Sequence, residues 1–231
     1  MKVNRHSRMF QIASGLVWSM LLAGAMTAQA QVADCGPGKL SDYLAMGPQG
    51  CAIGNLRFSH FIYSPAPNGP PANAISVTPG TTPENDDPGL LLEAAWATPS
   101  AGSSVSYSVE VAPGRKPVSG ASLQMQLGQV TGTGKANVTA ELHPTADSGA
   151  CGPTQLTLSV FLDATHAKRA VDDGQLKEPA RQLCVVTPVS LTPGKQGSAK
   201  LQGFMTVFHF GHSQSASATP PPVASPTGVG Q

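Results

Sequence analysis

The sequence predicts an all-β fold: an antiparallel β-sandwich of about nine strands, Ig-like or jelly-roll-like, with a short N-terminal disulfide-closed segment. Three observations predict it. Apolar residues recur at every second position in several segments, the period of a strand with one wet face. Turn signals such as Pro79-Gly80, Pro88-Gly89, Pro113-Gly114 and Pro193-Gly194 separate those segments, which is the punctuation of short antiparallel strands. The 231 residues include 25 glycines and 21 prolines while only 12% are charged, a composition that disfavours helix bundles and coiled coils.

Residues 1–30 read as a secretory signal peptide. Lys2, Arg5 and Arg8 give the positive end, an apolar run extends from Ile12 to Met26, and Ala28 and Ala30 are the small residues that place cleavage after Ala30. The run falls short of the roughly 20 residues a spanning helix needs. Ala25 stands where a lipid-bearing cysteine would have to follow Leu22-Ala23-Gly24, which excludes lipidation there. Nothing later in the sequence is long and apolar enough to span a bilayer, so no transmembrane anchor is expected in the mature chain. The product is expected to be secreted, either extracellular or periplasmic. Residues 31–212 form the single sandwich domain. Residues 213–231 are an uncharged Pro/Ser/Ala-rich tail, with Pro220, Pro221, Pro222 and Pro226, expected to be disordered.

Cys35, Cys51, Cys151 and Cys184 are an even set in an exported chain, which points to two disulfides. Three pairings are possible. Cys35–Cys51 and Cys151–Cys184 are favoured, because each closes a short local loop. No pair has the spacing of about two to four residues that a zinc knuckle uses.

One helical turn is expected at Leu40 to Met46, capped by Ser41 or Asp42. The firmest strands follow from alternation. Val105, Tyr107, Val109 and Val111 alternate with serines and Glu110. Leu123, Met125 and Leu127 alternate with Ser122, Gln124 and Gln126. Ala136, Val138, Ala140 and Leu142 alternate with Asn137, Thr139 and Glu141. Leu156, Leu158, Val160 and Leu162 alternate with Gln155, Thr157 and Ser159. Weaker strands are expected at Leu56 to Tyr63, Ala74 to Thr78, Leu90 to Trp96, Gln182 to Thr187 and Lys200 to Phe210. Residues Thr165 to Leu176 fit either a helical turn or a long loop. Clean alternation argues for antiparallel sheets, since buried parallel strands read as unbroken apolar runs.

The chemistry-bearing residues give no local motif. Gly128 to Lys135 resembles a phosphate loop only superficially. Ala136 stands where Ser or Thr is needed and a strand follows instead of a helix, so the segment reads as a glycine turn between strands. His60, His143, His166, His209 and His212 are the histidines after the signal. His209 and His212 lie three apart, which in a strand points them to opposite faces, so they read as solvated strand-end histidines. The acidic clusters Glu84-Asn85-Asp86-Asp87 and Asp172-Asp173 lack the alternating spacing of a calcium loop and read as solvated turn acids. Trp96, Tyr63 and Tyr107 would offer a sugar-stacking platform if exposed; a lone Trp at the end of an apolar strand reads first as core. Asn137-Val138-Thr139 matches a glycan sequon but falls inside a predicted strand. No His-Glu-x-x-His or Gly-x-Ser-x-Gly is present. A triad assembled from distant positions would be visible only in three dimensions.

Cys35, Leu40-Ser41-Asp42-Tyr43-Leu44, Gly50-Cys51-Ala52-Ile53-Gly54 and Phe58-Ser59-His60-Phe61-Ile62-Tyr63 resemble exported PEP-CTERM-associated proteins of the acidobacterial type. Ile75 to Pro79, Pro88-Gly89-Leu90 with Trp96, and Val105 to Val109 extend the resemblance. It implies an extracellular β-sandwich without an assigned enzyme activity, linked to the cell surface or to exopolysaccharide, and it supplies no catalytic residues. The Pro-Glu-Pro sorting signal of that group is absent after His212, so a released product is expected.

The full-length charge is +1, and loss of Lys2, Arg5 and Arg8 with the signal leaves the remainder slightly acidic, which argues against nucleic acid as a partner. The functional expectation is a secreted or surface-associated non-enzymatic domain with a structural or interaction role. Its partners are extracellular polysaccharide or cell-surface components. No catalytic, cofactor-binding or metal-ligating residue and no cofactor are assigned. The alternatives are a carbohydrate-binding module and a secreted hydrolase with scattered catalytic residues.

Overall fold

A computed structural model describes residues 32–211 apart from 84, 99–100, 146–149 and 164–167. The predicted signal and tail, with Glu84, His166 and His212, lie outside the described residues. In chain order the strands are β1 (Gly38–Lys39), β2 (Cys51–Ile53), β3 (Leu56–Ser64), β4 (Ser76–Thr81), β5 (Pro88–Ala97), β6 (Ala101–Val111) and β7 (Val118–Met125). They continue with β8 (Gly128–Gly132), β9 (Lys135–Pro144), β10 (Leu156–Asp163), β11 (Lys168–Arg169), β12 (Val171–Ala180), β13 (Gln182–Thr192) and β14 (Gly197–Phe210). The one α-helix among the described residues, α1 (Leu40–Ala45), follows β1.

Two antiparallel sheets form the sandwich. Sheet I has the order β1-β4-β5-β14-β7-β12, with β8 pairing the other end of β14; sheet II has the order β11-β10-β9-β13-β6-β3-β2. The alternating residues face inward as expected. Val105, Tyr107 and Val109 of β6, Leu123 of β7, Val138 and Leu142 of β9, and Leu158 and Val160 of β10 are all buried in one core. At roughly 1.5–3 kcal/mol for each large apolar side chain buried, this inner layer supplies the main driving force. Trp96, at 1% exposed, packs on Phe204, and Tyr107 stacks on Phe61.

The favoured disulfides, Cys35–Cys51 and Cys151–Cys184, are both formed. The first pins the N-terminal segment beside β2, where Cys35 N donates to Ala52 O at 2.8 Å.

Several expectations are corrected. Asp42 caps α1 from its third residue rather than from the N-cap, accepting from Lys39 N at 2.9 Å. Residues 171–180 are neither helical turn nor loop but the edge strand β12. Only Leu176 is buried on it, so its sequence carries no apolar alternation; the ladder to β7 holds it instead. Gly128 to Lys135 is more than a turn, since its first five residues pair with β14 as β8. Leu127, expected inward, lies past the end of β7 and is 74% exposed.

Candidate functional site

The outer face of sheet I holds a continuous line of polar side chains. Alternation in β7 sends Ala121 and Leu123 to the core and Ser122 to the opposite face. Ser122 stands directly across from Asp173 of β12 on one side and Val207 of β14 on the other. His209 is two residues beyond Val207, level with Gly120. A Cβ at position 120 would come within 2.5 Å of Gly174 O, so glycine there lets β12 close onto β7.

Asp87 comes from the turn before β5. Thr82 braces that turn: Thr82 N donates to Asp87 O at 2.9 Å, Asp86 N donates to Thr82 O at 3.0 Å, and Asp87 N donates to Thr82 Oγ1 at 3.2 Å. Asp86 takes a left-handed φ of 54° to close it, a conformation Asp tolerates better than most residues. The turn delivers Asp87, 4% exposed, to the sheet surface.

Asp87 Oδ2 lies 2.7 Å from His209 Nδ1, His209 Nε2 lies 2.5 Å from Ser122 Oγ, and Ser122 Oγ also bonds Asp173 Oδ1. The order Asp87–His209–Ser122–Asp173 crosses four neighbouring strand positions, β5, β14, β7 and β12. It floors a cleft of about 550 Å³ whose walls include Asn85, Gln124, Gln175, Ser119, Val171 and Phe210. That volume falls among those of small-ligand sites, roughly 300–1,000 Å³.

The first three members have the connectivity of a nucleophile, a base and its orienter. The fourth changes the chemistry. Three hydrogen bonds need three protons. A neutral imidazole and a serine hydroxyl bring one each, and ionised carboxylates bring none. A neutral imidazole that donates through Nδ1 to Asp87 leaves one proton, that of Ser122, for two contacts, to His209 Nε2 and to Asp173 Oδ1. The hydroxyl proton that a catalytic serine gives wholly to its base therefore has a second acceptor here. The backbone around Ser122 is paired on both sides, so its N–H groups serve the ladder rather than an oxyanion.

The sequence expectations for these residues are therefore revised. His209 is not a solvated strand-end histidine; its side chain is 30% exposed and bonded at both nitrogens. Asp87 and Asp173 are not merely solvated turn acids. His60 and His143 join no such line. His60 Nδ1 bonds Ser59 Oγ, while His143 Nδ1 bonds Gly152 O and its Nε2 lies 3.6 Å from Glu141. Trp96 is core, as first expected; with Tyr107 buried and Tyr63 half-buried with its hydroxyl tied to Pro70 O, the three rings form no exposed aromatic platform. No group of three or more His, Cys, Asp or Glu side chains among the described residues is arranged to hold a metal ion.

A second groove, of about 420 Å³, lies on the outer face of sheet II beside Arg57, His60, Ile62 and Ser108. It follows from a bulge in β3 between Ser59 and Ile62. His60, at φ 53°, absorbs the extra residue, turning Phe61 into the core and leaving Ile62 60% exposed. The bulge thus has a packing purpose of its own.

No family model and no curated protein matches the chain. Among solved structures, the CBM36-1 domain of a multidomain xylanase from the hindgut metagenome of Trinervitermes trinervoides is similar at 11% identity with a TM-score of 0.27. The match covers 66% of this chain and 100% of that one. A likeness at that score defines neither fold nor ligand. The outer face of sheet I, with its polar floor, is the candidate site this chain's own residues build.

Proposed function

We propose that this protein is an exported β-sandwich that acts by binding rather than by catalysis, and that the outer face of sheet I takes a hydroxyl-rich ligand, a segment of extracellular polysaccharide. The observation that carries the proposal is the Asp87–His209–Ser122–Asp173 line on the floor of the cleft. Such a line fixes acceptors and donors in place before any ligand arrives, which lowers the ordering cost of binding. The amides of Asn85, Gln124 and Gln175 around it offer both donors and acceptors, as sugar hydroxyls require. Phe210 and Val171 add apolar surface for the C–H faces of a sugar ring.

Export is supported by the signal-like N-terminus and by two disulfides with no free cysteine among the described residues. No described helix is long and apolar enough to cross a membrane. The non-enzymatic reading rests on the proton arrangement and paired backbone at Ser122.

The test is a glycan array probed with the wild-type protein and with Ser122→Ala. Retention on polysaccharide that the variant loses supports the proposal. No retention on any glycan, or turnover of an ester substrate by wild type that Ser122→Ala abolishes, overturns it.

A further inference from the structure

We infer that the preferred ligand carries an ammonium group, an amino-sugar unit within the polysaccharide, seated against Asp173. The inference rests on the saccharide-binding reading and narrows it. Two carboxylates and one imidazole make up the floor, so with the three hydrogen bonds formed it carries a net negative charge wherever the third proton sits. Among the described residues no Lys or Arg lines the cleft; the remaining polar walls are the neutral side chains of Thr82, Asn85, Ser119, Gln124 and Gln175. An anionic polymer would meet uncompensated repulsion here, and a neutral one would leave the charge unused.

The two carboxylates differ in what they can still do. Asp87 is 4% exposed and committed to His209 and to the Thr82 turn. Asp173 is exposed on the edge strand β12 and spends Oδ1 on Ser122; its Oδ2 accepts no hydrogen bond among the described residues. Two basic residues lie four positions from Asp173: Arg169 is occupied with Asp172, at 3.2 Å, and Lys177 of β12 forms no ion pair with Asp173 among the described residues. Asp172 in turn accepts from Ser159 N at 2.7 Å, across the sandwich in sheet II. Asp173 thus forms no ion pair among the described residues. A primary ammonium offers three donors with no acceptor, which matches an open carboxylate oxygen ringed by amide and hydroxyl acceptors.

The experiment is calorimetric titration of the full chain with three oligosaccharides of equal length: glucosamine, N-acetylglucosamine and galacturonate oligomers. The glucosamine oligomer is expected to bind about tenfold tighter than its acetylated counterpart, the scale of one added charge-assisted contact, and the galacturonate oligomer least tightly. Asp173→Asn keeps the shape of the floor and is expected to bring the amino and acetylated oligomers to within about threefold of each other. Unchanged circular dichroism in the variant separates this from misfolding. Equal affinity for amino and acetylated oligomers, or a preference that persists in Asp173→Asn, overturns the ammonium inference while leaving saccharide binding intact. Binding of none of the three overturns this inference, and a glycan array that also stays blank removes the saccharide reading itself.

Discussion

His209 Nδ1 and Asp87 Oδ2 lie 2.7 Å apart across 122 residues of sequence, joining the last strand to the turn before β5. The contact fixes the ring that reaches Ser122, and it holds a carboxylate that is almost wholly out of water. Asp87→Ala leaves the ring without its orienter and opens a gap beside Thr82. The expected loss is about 2 kcal/mol in urea unfolding, the scale of a hydrogen bond to a charged group. Asp87→Asn keeps an acceptor for Nδ1–H and is expected to lose about half as much. Equal losses in the two variants would show that the contact contributes through packing alone.

Ser122 touches both His209 and Asp173, so its hydroxyl proton reports the arrangement. With Asp173 as a second acceptor for that proton, wild-type protein is expected to stay unlabelled by a fluorophosphonate probe that marks activated serines. In Asp173→Asn the new amide donates to Ser122 Oγ, and the hydroxyl proton turns toward His209. If any variant takes the label, Asp173→Asn is expected to be the first, still slowly for want of an oxyanion site. Prompt labelling of the wild type at Ser122 would contradict the proton arrangement and the binding-only reading together.

The nine predicted strands were legible because burial on one face imposes a period of two, as in β6, where Val105, Tyr107, Val109 and Val111 all reach the core. β12 was not legible for the same physical reason. An edge strand with one buried residue, Leu176, leaves no apolar stripe to read, and its place is set by pairing with β7. The disulfide pairing followed from loop length. The line across sheet I could not follow from any local pattern, because Asp87, Ser122, Asp173 and His209 come from four separate segments. Its faint signals were a histidine at an outward position of β14 and acids bordering or lying within predicted strands or loops. Strand order and register alone convert those into neighbours.

Thr187 is wholly buried in β13, and its Oγ1 has no hydrogen-bond partner. Valine has the same branched shape and suits a strand equally well. Thr187→Val removes a desolvated hydroxyl without opening a cavity, so stability is expected to rise by about 1 kcal/mol, read as a higher urea midpoint with unchanged slope. A fall of that size would show that the hydroxyl is satisfied in solution.

The protein has three tyrosines, and burial raises the phenol pKa of each. Desolvation acts on Tyr43 and Tyr107, and on Tyr63, where a hydrogen bond with Ser103 partly offsets it. Tyr107, stacked on Phe61 inside the core, is raised furthest. The fold thus favours the neutral phenol. That contribution to stability is complete below the unfolded-chain value of about 10 and is lost as pH rises beyond it toward the raised folded values. Two measurements follow from the sign. Urea midpoints should fall as pH climbs above about 10, and Tyr107→Phe, which removes the most shifted group, should flatten that fall. Tyrosinate absorbance should grow together with loss of the β-sheet circular dichroism signal. Three phenols ionising near their ordinary value while the sheet signal stays intact would contradict the burial that places these rings in and around the core.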